Sequence, residues 1–204
     1  MGWYRDRLLP KIIDRACGTA EIAQWRRRAI DGIAGTVVEP GFGSGLNLPL
    51  LPTEVEKVYA VDPALRGRDL AADRLAASPI DVEFVGLDGQ DLPLPDDSCD
   101  AALLTFTLCT IPEPDAALGE LRRVLKPGGT LHFLEHGKAP SDRVEKWQHR
   151  IDPFQRRIAD GCHVSRDHPA LIEAAGFDIE RVTAGYAKGP KPWSYFYVGK
   201  AINP

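Results

Sequence analysis

The chain has 204 residues, a length that suits one domain with a core of its own and leaves too little for two. Hydrophobic residues make up 44%, charged residues 26%, and the net charge is -4, which excludes a disordered chain and gives no general attraction to nucleic acid or to an anionic membrane. Apolar runs fall short of the ~20 residues that span a bilayer and the start carries no secretory leader, so a cytoplasmic location without stable membrane insertion is expected.

From about Trp3 to Ile33 the apolar residues Leu8, Leu9, Ile12, Ile13 and Ala16 recur at helical spacing among charged ones, which predicts an amphipathic helical cap. Its bases are mixed with acids, so it reads as packing on the domain rather than on a membrane. An apolar run from Thr36 to Glu39 enters a glycine loop, and a helix is expected from near Leu46. Then come a strand Val55 to Asp62, a helix Leu65 to Ala77 and a strand Val82 to Gly86. A strand Ala101 to Thr107, a helix from about Pro114 to Val124, a Pro-Gly-Gly turn at 127–129 and a strand Thr130 to Glu135 follow. This alternation with short connections predicts a parallel sheet with helices on both faces. After Glu135 the pattern changes to a charged helix Ser141 to Ile158 and a second helix Asp167 to Ala175. Two late strands, near Asp178 to Thr183 and Ser194 to Ala201, are placed to pair antiparallel. No repeat or boundary divides the chain, so 1–204 is expected to form one domain, a helical lid at 1–33 over a core at 34–204.

The run VVEPGFGSG at 37–45 carries an apolar strand into three alternating glycines, where the backbone turns tightly and a ligand can approach it. A dinucleotide fingerprint wants Gly or Ala one position after Gly45, and that position is Leu46. A cofactor without phosphate needs carboxylates for its polar groups instead, and Glu39 and Asp62 supply them. Asp62 ends the second strand, where an acid can accept from both ribose hydroxyls, although a nicotinamide enzyme would have such an acid too. Asp88, in the loop Asp88-Gly89-Gln90, reads either as an acceptor for an adenine amino group or as a turn residue beside Gly89.

The order EPGFGSG at 39–45, Asp62, DGQ at 88–90 and LKPGG at 125–129 resembles the class I S-adenosylmethionine-dependent methyltransferases over most of the chain. The resemblance implies an α/β, Rossmann-like fold with a seven-stranded, mostly parallel sheet whose last strand is antiparallel. It implies S-adenosyl-L-methionine as cofactor and S-adenosyl-L-homocysteine as its product. Glu39 and the loop Gly41, Gly43, Gly45 would surround the methionine part, with Asn47 following them, and Asp62 would hold the ribose. Asp88, Gly89 and Gln90 would border adenine, while Thr105 and Phe106 would lie near the amino group and the sulfonium. Pro40 departs from the pattern, removing one N–H and holding Glu39 extended. TFTLCT at 105–110, FLEH at 133–136 and DGCHVSR at 160–166 are similar to the smaller group that includes animal thiol methyltransferases.

Methyl transfer is a direct displacement that needs alignment and exclusion of water, with a base where the acceptor must lose a proton. His136, just past the fifth strand, is the first candidate base and reads equally as a polar loop residue. Asp160 and His163 form a second candidate, an acid-oriented base, with Arg166 holding an anionic acceptor group; Asp160 and Arg166 read as well as a structural ion pair. The cysteines at 17, 99, 109 and 162 lie too far apart to resemble a zinc site, so they are expected to be reduced and structural, with no metal. Trp3, Tyr4, Trp147, Trp193 and Tyr195 read as lining an acceptor pocket or as lid and core packing. The expected activity is methyl transfer to a small, partly apolar acceptor: a thiol, a quinone-like compound or another small molecule. The alternatives are a nicotinamide-dependent oxidoreductase and a cofactor-binding module without turnover.

Overall fold

The apolar runs become seven strands: β1 (Gly35–Pro40), β2 (Val55–Val61), β3 (Asp81–Gly86), β4 (Cys99–Thr105), β5 (Leu125–His136), β6 (Asp178–Tyr186) and β7 (Tyr195–Ile202). The computed structural model describes residues 4, 8–63 and 65–204, so the expectations for Trp3 and the rest of 1–3 and 5–7 lie outside it. The strands form one sheet in the order β3-β2-β1-β4-β5-β7-β6. Pairs among β1 to β5 are parallel, and β7 runs antiparallel to β5 and β6. This is the mostly parallel, Rossmann-like α/β sheet expected, with its last strand reversed.

Seven helices accompany it among the described residues: α1 (Leu9–Cys17), α2 (Ala20–Ala29), α3 (Leu65–Ala77), α4 (Pro114–Val124), α5 (Asp142–Ile158), α6 (His168–Ala174) and α7 (Lys191–Ser194). Alternate strand residues choose the face. Val38, Ala102, Leu104, Leu131 and Phe133 pack with Leu118, Leu121 and Val124 of α4 and Ile172 of α6. Val37, Val58, Ala101 and Leu103 face the other way, onto Ile30, Ile33, Phe42, Leu48 and Ala71. Each such Leu or Phe removed from water contributes about 1.5–3 kcal/mol, and this double-sided burial keeps the loops at the carboxyl ends of the strands in place.

The first two helices differ in their attachment. Thr19 Oγ1 accepts from Ile22 N to cap α2, which packs Trp25 edge-on against Phe196 and lays Ala29 O against His132 Nδ1 at 2.7 Å. α1 buries Leu9 while Ile12 and Ile13 remain about half exposed, at 47% and 46%. No helix among the described residues is long and apolar enough to cross a membrane.

Two local expectations are corrected. The helix expected from Leu46 is one 3-10 turn, Leu48–Leu50, because Pro52 cannot supply a helical N–H and holds Leu51 extended at φ -62, ψ 138. The Pro-Gly-Gly turn at 127–129 lies within β5 as a bulge: pairing jumps from Cys99↔Leu125 to Ala101↔Thr130, and Gly128 adopts φ 77. Asn203 closes it, exchanging backbone hydrogen bonds with Gly128 and Gly129 and donating its side-chain amide to Leu125 O.

Candidate active site

A cavity of about 460 Å³ opens at the carboxyl ends of β1, β2 and β4, where open α/β sheets bind ligands. The glycine loop forms its floor. Gly41 turns at φ 74, and a Cβ there would stand 2.1 Å from Thr107 Oγ1, so no side chain fits between the two loops. Gly41 N donates to Val61 O and Gly43 N donates to Asp62 Oδ2, both at 2.7 Å, which ties the loop to the end of β2.

Glu39 is buried at the end of β1. Its Oε1 accepts from Asn47 Nδ2 at 2.6 Å, whereas Oε2 has no partner. Burial pushes its carboxyl up to about 7, against the opposing pull of Asn47 and Arg26. Arg26 reaches in from α2, its Nη1 donating to Asn47 Oδ1 at 2.7 Å and Thr105 Oγ1 at 2.8 Å, with a buried Nε unpartnered. Desolvation lowers its pKa from the ordinary arginine value. The guanidinium also lies 5.6 Å from the Phe106 ring centroid. Two buried charged groups of opposite sign, each with an unused polar atom, match a zwitterionic amino-acid head.

Around this pocket, Asp62 is nearly buried at the wall and Thr105 joins Arg26 and Asn47. Phe106 is held at φ 55, a costly conformation for a bulky residue, with its ring against Phe196 at 5.2 Å. Glu135 enforces that turn from below: buried in β5, it accepts from the backbone N–H groups of Thr107, Leu108 and Cys109. Asp88 and Gly89 line the cavity, but Asp88 Oδ1 accepts from Gln90 N at 2.9 Å, the turn reading of this loop. Gln90 turns away to accept from Glu113 N at 2.8 Å. Leu9 and Ile13 of α1 with Leu46, Leu87 and Ile111 give the cavity an apolar mouth.

The predicted base cluster is rearranged. His136 Nε2 lies 3.0 Å from Cys162 Sγ, which lies 3.6 Å from Cys109 Sγ, and these side chains sit behind Phe106, whose ring is 6.1 Å from that of His136. Contacts with Cys109 and His136 hold the Cys162 thiol below its usual range; burial opposes charge on His136, but the Cys162 contact raises its pKa. His163 does not pair with Asp160 as expected: its Nδ1 faces Asp152 Oδ2 at 3.9 Å, while Asp160 lines the cavity at φ 49. Arg166 Nη1 donates to Leu108 O and Ile111 O and so pins the loop after β4. Of the two readings of the aromatic residues, packing rather than pocket lining fits the described wall. Tyr4 Oη donates to Ile158 O, Trp193 Nε1 donates to Gln155 Oε1, Tyr195 packs edge-on against Tyr186 and Tyr197, and Trp147 is exposed.

Arg26 lines this pocket and is absent from the candidates read from the sequence. Its signal was a charge on a buried stripe, four residues after Ile22 and three before Ala29, hidden within the run Arg26, Arg27, Arg28.

Residues 38–133 match a family model described as a methyltransferase domain. The chain is 35% identical to thiol S-methyltransferase TMT1B of Rattus norvegicus, over 82% of this chain and 68% of that one. It is 36% identical to the demethylmenaquinone methyltransferase of Clavibacter sepedonicus over 60% of this chain and 51% of that one. The fold superposes on a S-adenosylmethionine-dependent methyltransferase of Aquifex aeolicus with a TM-score of 0.67 at 21% identity, covering 96% of this chain and 98% of that one.

Proposed function

The chain belongs to the class I S-adenosylmethionine-dependent methyltransferases, and from that premise we propose that it methylates the sulfur of a small, partly apolar thiol. S-adenosylmethionine is its cofactor, and when bound supplies a methyl carbon on a sulfonium sulfur, open to in-line displacement. In this reading Glu39 takes the cofactor's ammonium with its unpartnered Oε2, and Arg26 takes the carboxylate. Asn47 and Thr105 hold that pair in position, and Asp62 accepts from the ribose hydroxyls. Phe106 and α1 close the reacting end against water.

The observation that carries the acceptor reading is the cavity's division into a charged, buried floor and an apolar mouth made by Leu9, Ile13, Leu46, Leu87 and Ile111. A thiol with an apolar substituent suits that mouth, and one as acidic as cysteine, about 8.5, reaches the thiolate near neutral pH with little help from a base. Similarity to a thiol S-methyltransferase supports the same class. His136 and His163 are then not assigned the acceptor's proton, because the first is engaged with Cys162 and the second faces Asp152. Residues 1–204 work as one unit, with α1 as the movable part of the 1–33 cap.

The test is transfer of a labelled methyl group to a panel of alkyl and aryl thiols, quinols, phenols and amines. Methylated thioethers are expected. Transfer to quinols or amines with none to thiols would overturn the acceptor class. Tight binding of S-adenosylhomocysteine without transfer to any member would instead leave a cofactor-binding module.

A further inference from the structure

The cysteine spacing in the sequence argues against a metal, yet the fold brings three soft donors together. Cys109 comes from the loop after β4, His136 from the end of β5 and Cys162 from the connection between α5 and α6. One donor atom from each lies within 4.8 Å of the other two, and all three residues are buried or nearly so. Two of the three separations are 3.0 Å from His136 Nε2 to Cys162 Sγ and 3.6 Å from Cys162 Sγ to Cys109 Sγ. Tetrahedral zinc, with bonds of about 2.3 Å to sulfur and about 2.0 Å to imidazole nitrogen, would place two sulfurs about 3.8 Å apart and sulfur about 3.5 Å from nitrogen. The two shorter separations need adjustments of a few tenths to half an ångström to meet those values, and the third, between Cys109 and His136 and within 4.8 Å, closes toward about 3.5 Å as the side chains turn onto the metal.

The backbone beneath each donor is fixed. Glu135 accepts from Cys109 N, His168 Nε2 bonds to His136 O at 3.0 Å, and His163 N donates to Cys109 O at 2.8 Å, which locks the loop carrying Cys162 to the loop carrying Cys109. Such outer contacts orient metal ligands and hold donors at short separations before a metal arrives.

We propose that Cys109, His136 and Cys162 form a binding site for one thiophilic divalent metal, zinc foremost, with three protein ligands and a fourth position left for an exogenous ligand. Two thiolates and one neutral imidazole suit zinc better than magnesium or calcium, which take oxygen ligands. Binding displaces to solvent the Cys109 thiol proton and the proton shared between Cys162 and His136, so uptake releases up to two protons per metal. The site lies behind Phe106, outside the cofactor's contacts, and it stands whether or not the acceptor is a thiol.

The experiment is a cobalt(II) titration of the full chain after reduction and chelator treatment, followed by competition with zinc. One equivalent should bind with thiolate-to-cobalt charge-transfer bands in the near ultraviolet and tetrahedral ligand-field bands in the visible. Zinc should displace it. Cys109→Ser, Cys162→Ser and His136→Asn should each weaken zinc binding by at least about a hundredfold, the upper end of what losing an outer-shell partner costs, while Cys99→Ser leaves it unchanged. If the buried substitutions unfold the chain, the wild-type cobalt spectrum still decides, because its charge-transfer bands report sulfur ligands directly. Failure of the reduced protein to take up cobalt, an unchanged spectrum in Cys162→Ser, or a Cys109–Cys162 disulfide in the freshly isolated protein would each overturn the site.

Discussion

The two sides of the cavity are built differently. The cofactor side takes Glu39, Gly41, Gly43 and Asn47 from one short stretch, joins them to Asp62 at the end of the neighbouring strand, and carries buried charge. The opposite side is assembled from α1, the loop after β4 and the connection after α5; Leu9, Ile13 and Ile111 make it more apolar, Thr107, Thr110 and Asp160 also line it, and His136, Cys162 and Arg166 bond to one another or to backbone behind it. A site made within one strand-loop unit keeps its chemistry in a local pattern, whereas a site made by three remote segments is free to change its acceptor without disturbing the cofactor.

The largest expected effect lies on the cofactor side. Gly41→Ala would force a Cβ to 2.1 Å from Thr107 Oγ1 at φ 74, so the two loops must part. Calorimetry should show S-adenosylhomocysteine affinity falling by more than about a hundredfold, about 3 kcal/mol, with a lower melting temperature. Unchanged affinity would mean that this loop does not set the cofactor's position.

Glu39→Gln comes next. Removing a charge-assisted partner worth about 1.5–3 kcal/mol should weaken the cofactor about ten- to a hundredfold at pH 8. The pH dependence sharpens the test. In the free protein the Glu39 carboxyl sits at about 7, so below that pH binding of an ammonium must first expel a proton. Affinity should be flat above pH 7 and fall about tenfold per pH unit just below it in the wild type, and this slope should vanish in the variant. The unliganded variant should melt higher at pH 8, because a buried anion with one unpartnered oxygen has been replaced by a neutral amide. A wild-type affinity independent of pH between 5 and 8 would remove Glu39 from ammonium binding.

The smallest effect is expected on the other side. Ile13, 46% exposed on α1 and lining the mouth, should on change to Ser raise KM for an apolar acceptor about fivefold, about 1 kcal/mol, and leave S-adenosylhomocysteine binding unmoved. Loss of cofactor affinity in that variant would erase the distinction between the two sides.

This contrast also sets what the sequence reveals. The parallel sheet and the antiparallel pairing of the two late strands follow from apolar period, the reversed last strand from the family resemblance, and Glu39, Asp62 and the glycine loop stand out as candidates because the residues that define them are neighbours along the chain; the strand order does not follow from the sequence. Arg26 does not stand out, since its importance depends on which of three consecutive arginines α2 turns inward. Nor does the cluster at Cys109, His136 and Cys162, whose members become neighbours only when β4, β5 and the end of α5 are laid side by side. The neighbours of His163 and Arg166 were not legible for a related reason: a polar side chain near a site pairs with whatever lies closest, here Asp152 and two backbone carbonyls.

The reversed strand imposes an order on biogenesis. β7 follows β6 in the chain yet lies between β5 and β6, so β6 has no hydrogen-bonding partner in the sheet until β7 has been made. As the polypeptide leaves the ribosome, the long β5 edge, with Leu131, Phe133 and Leu134, waits unpaired for the insertion of Tyr195–Ile202. Truncation or stalling before β7 would therefore do more than shorten the molecule: it would leave a nascent chain with a sticky edge, a natural substrate for chaperones and proteases.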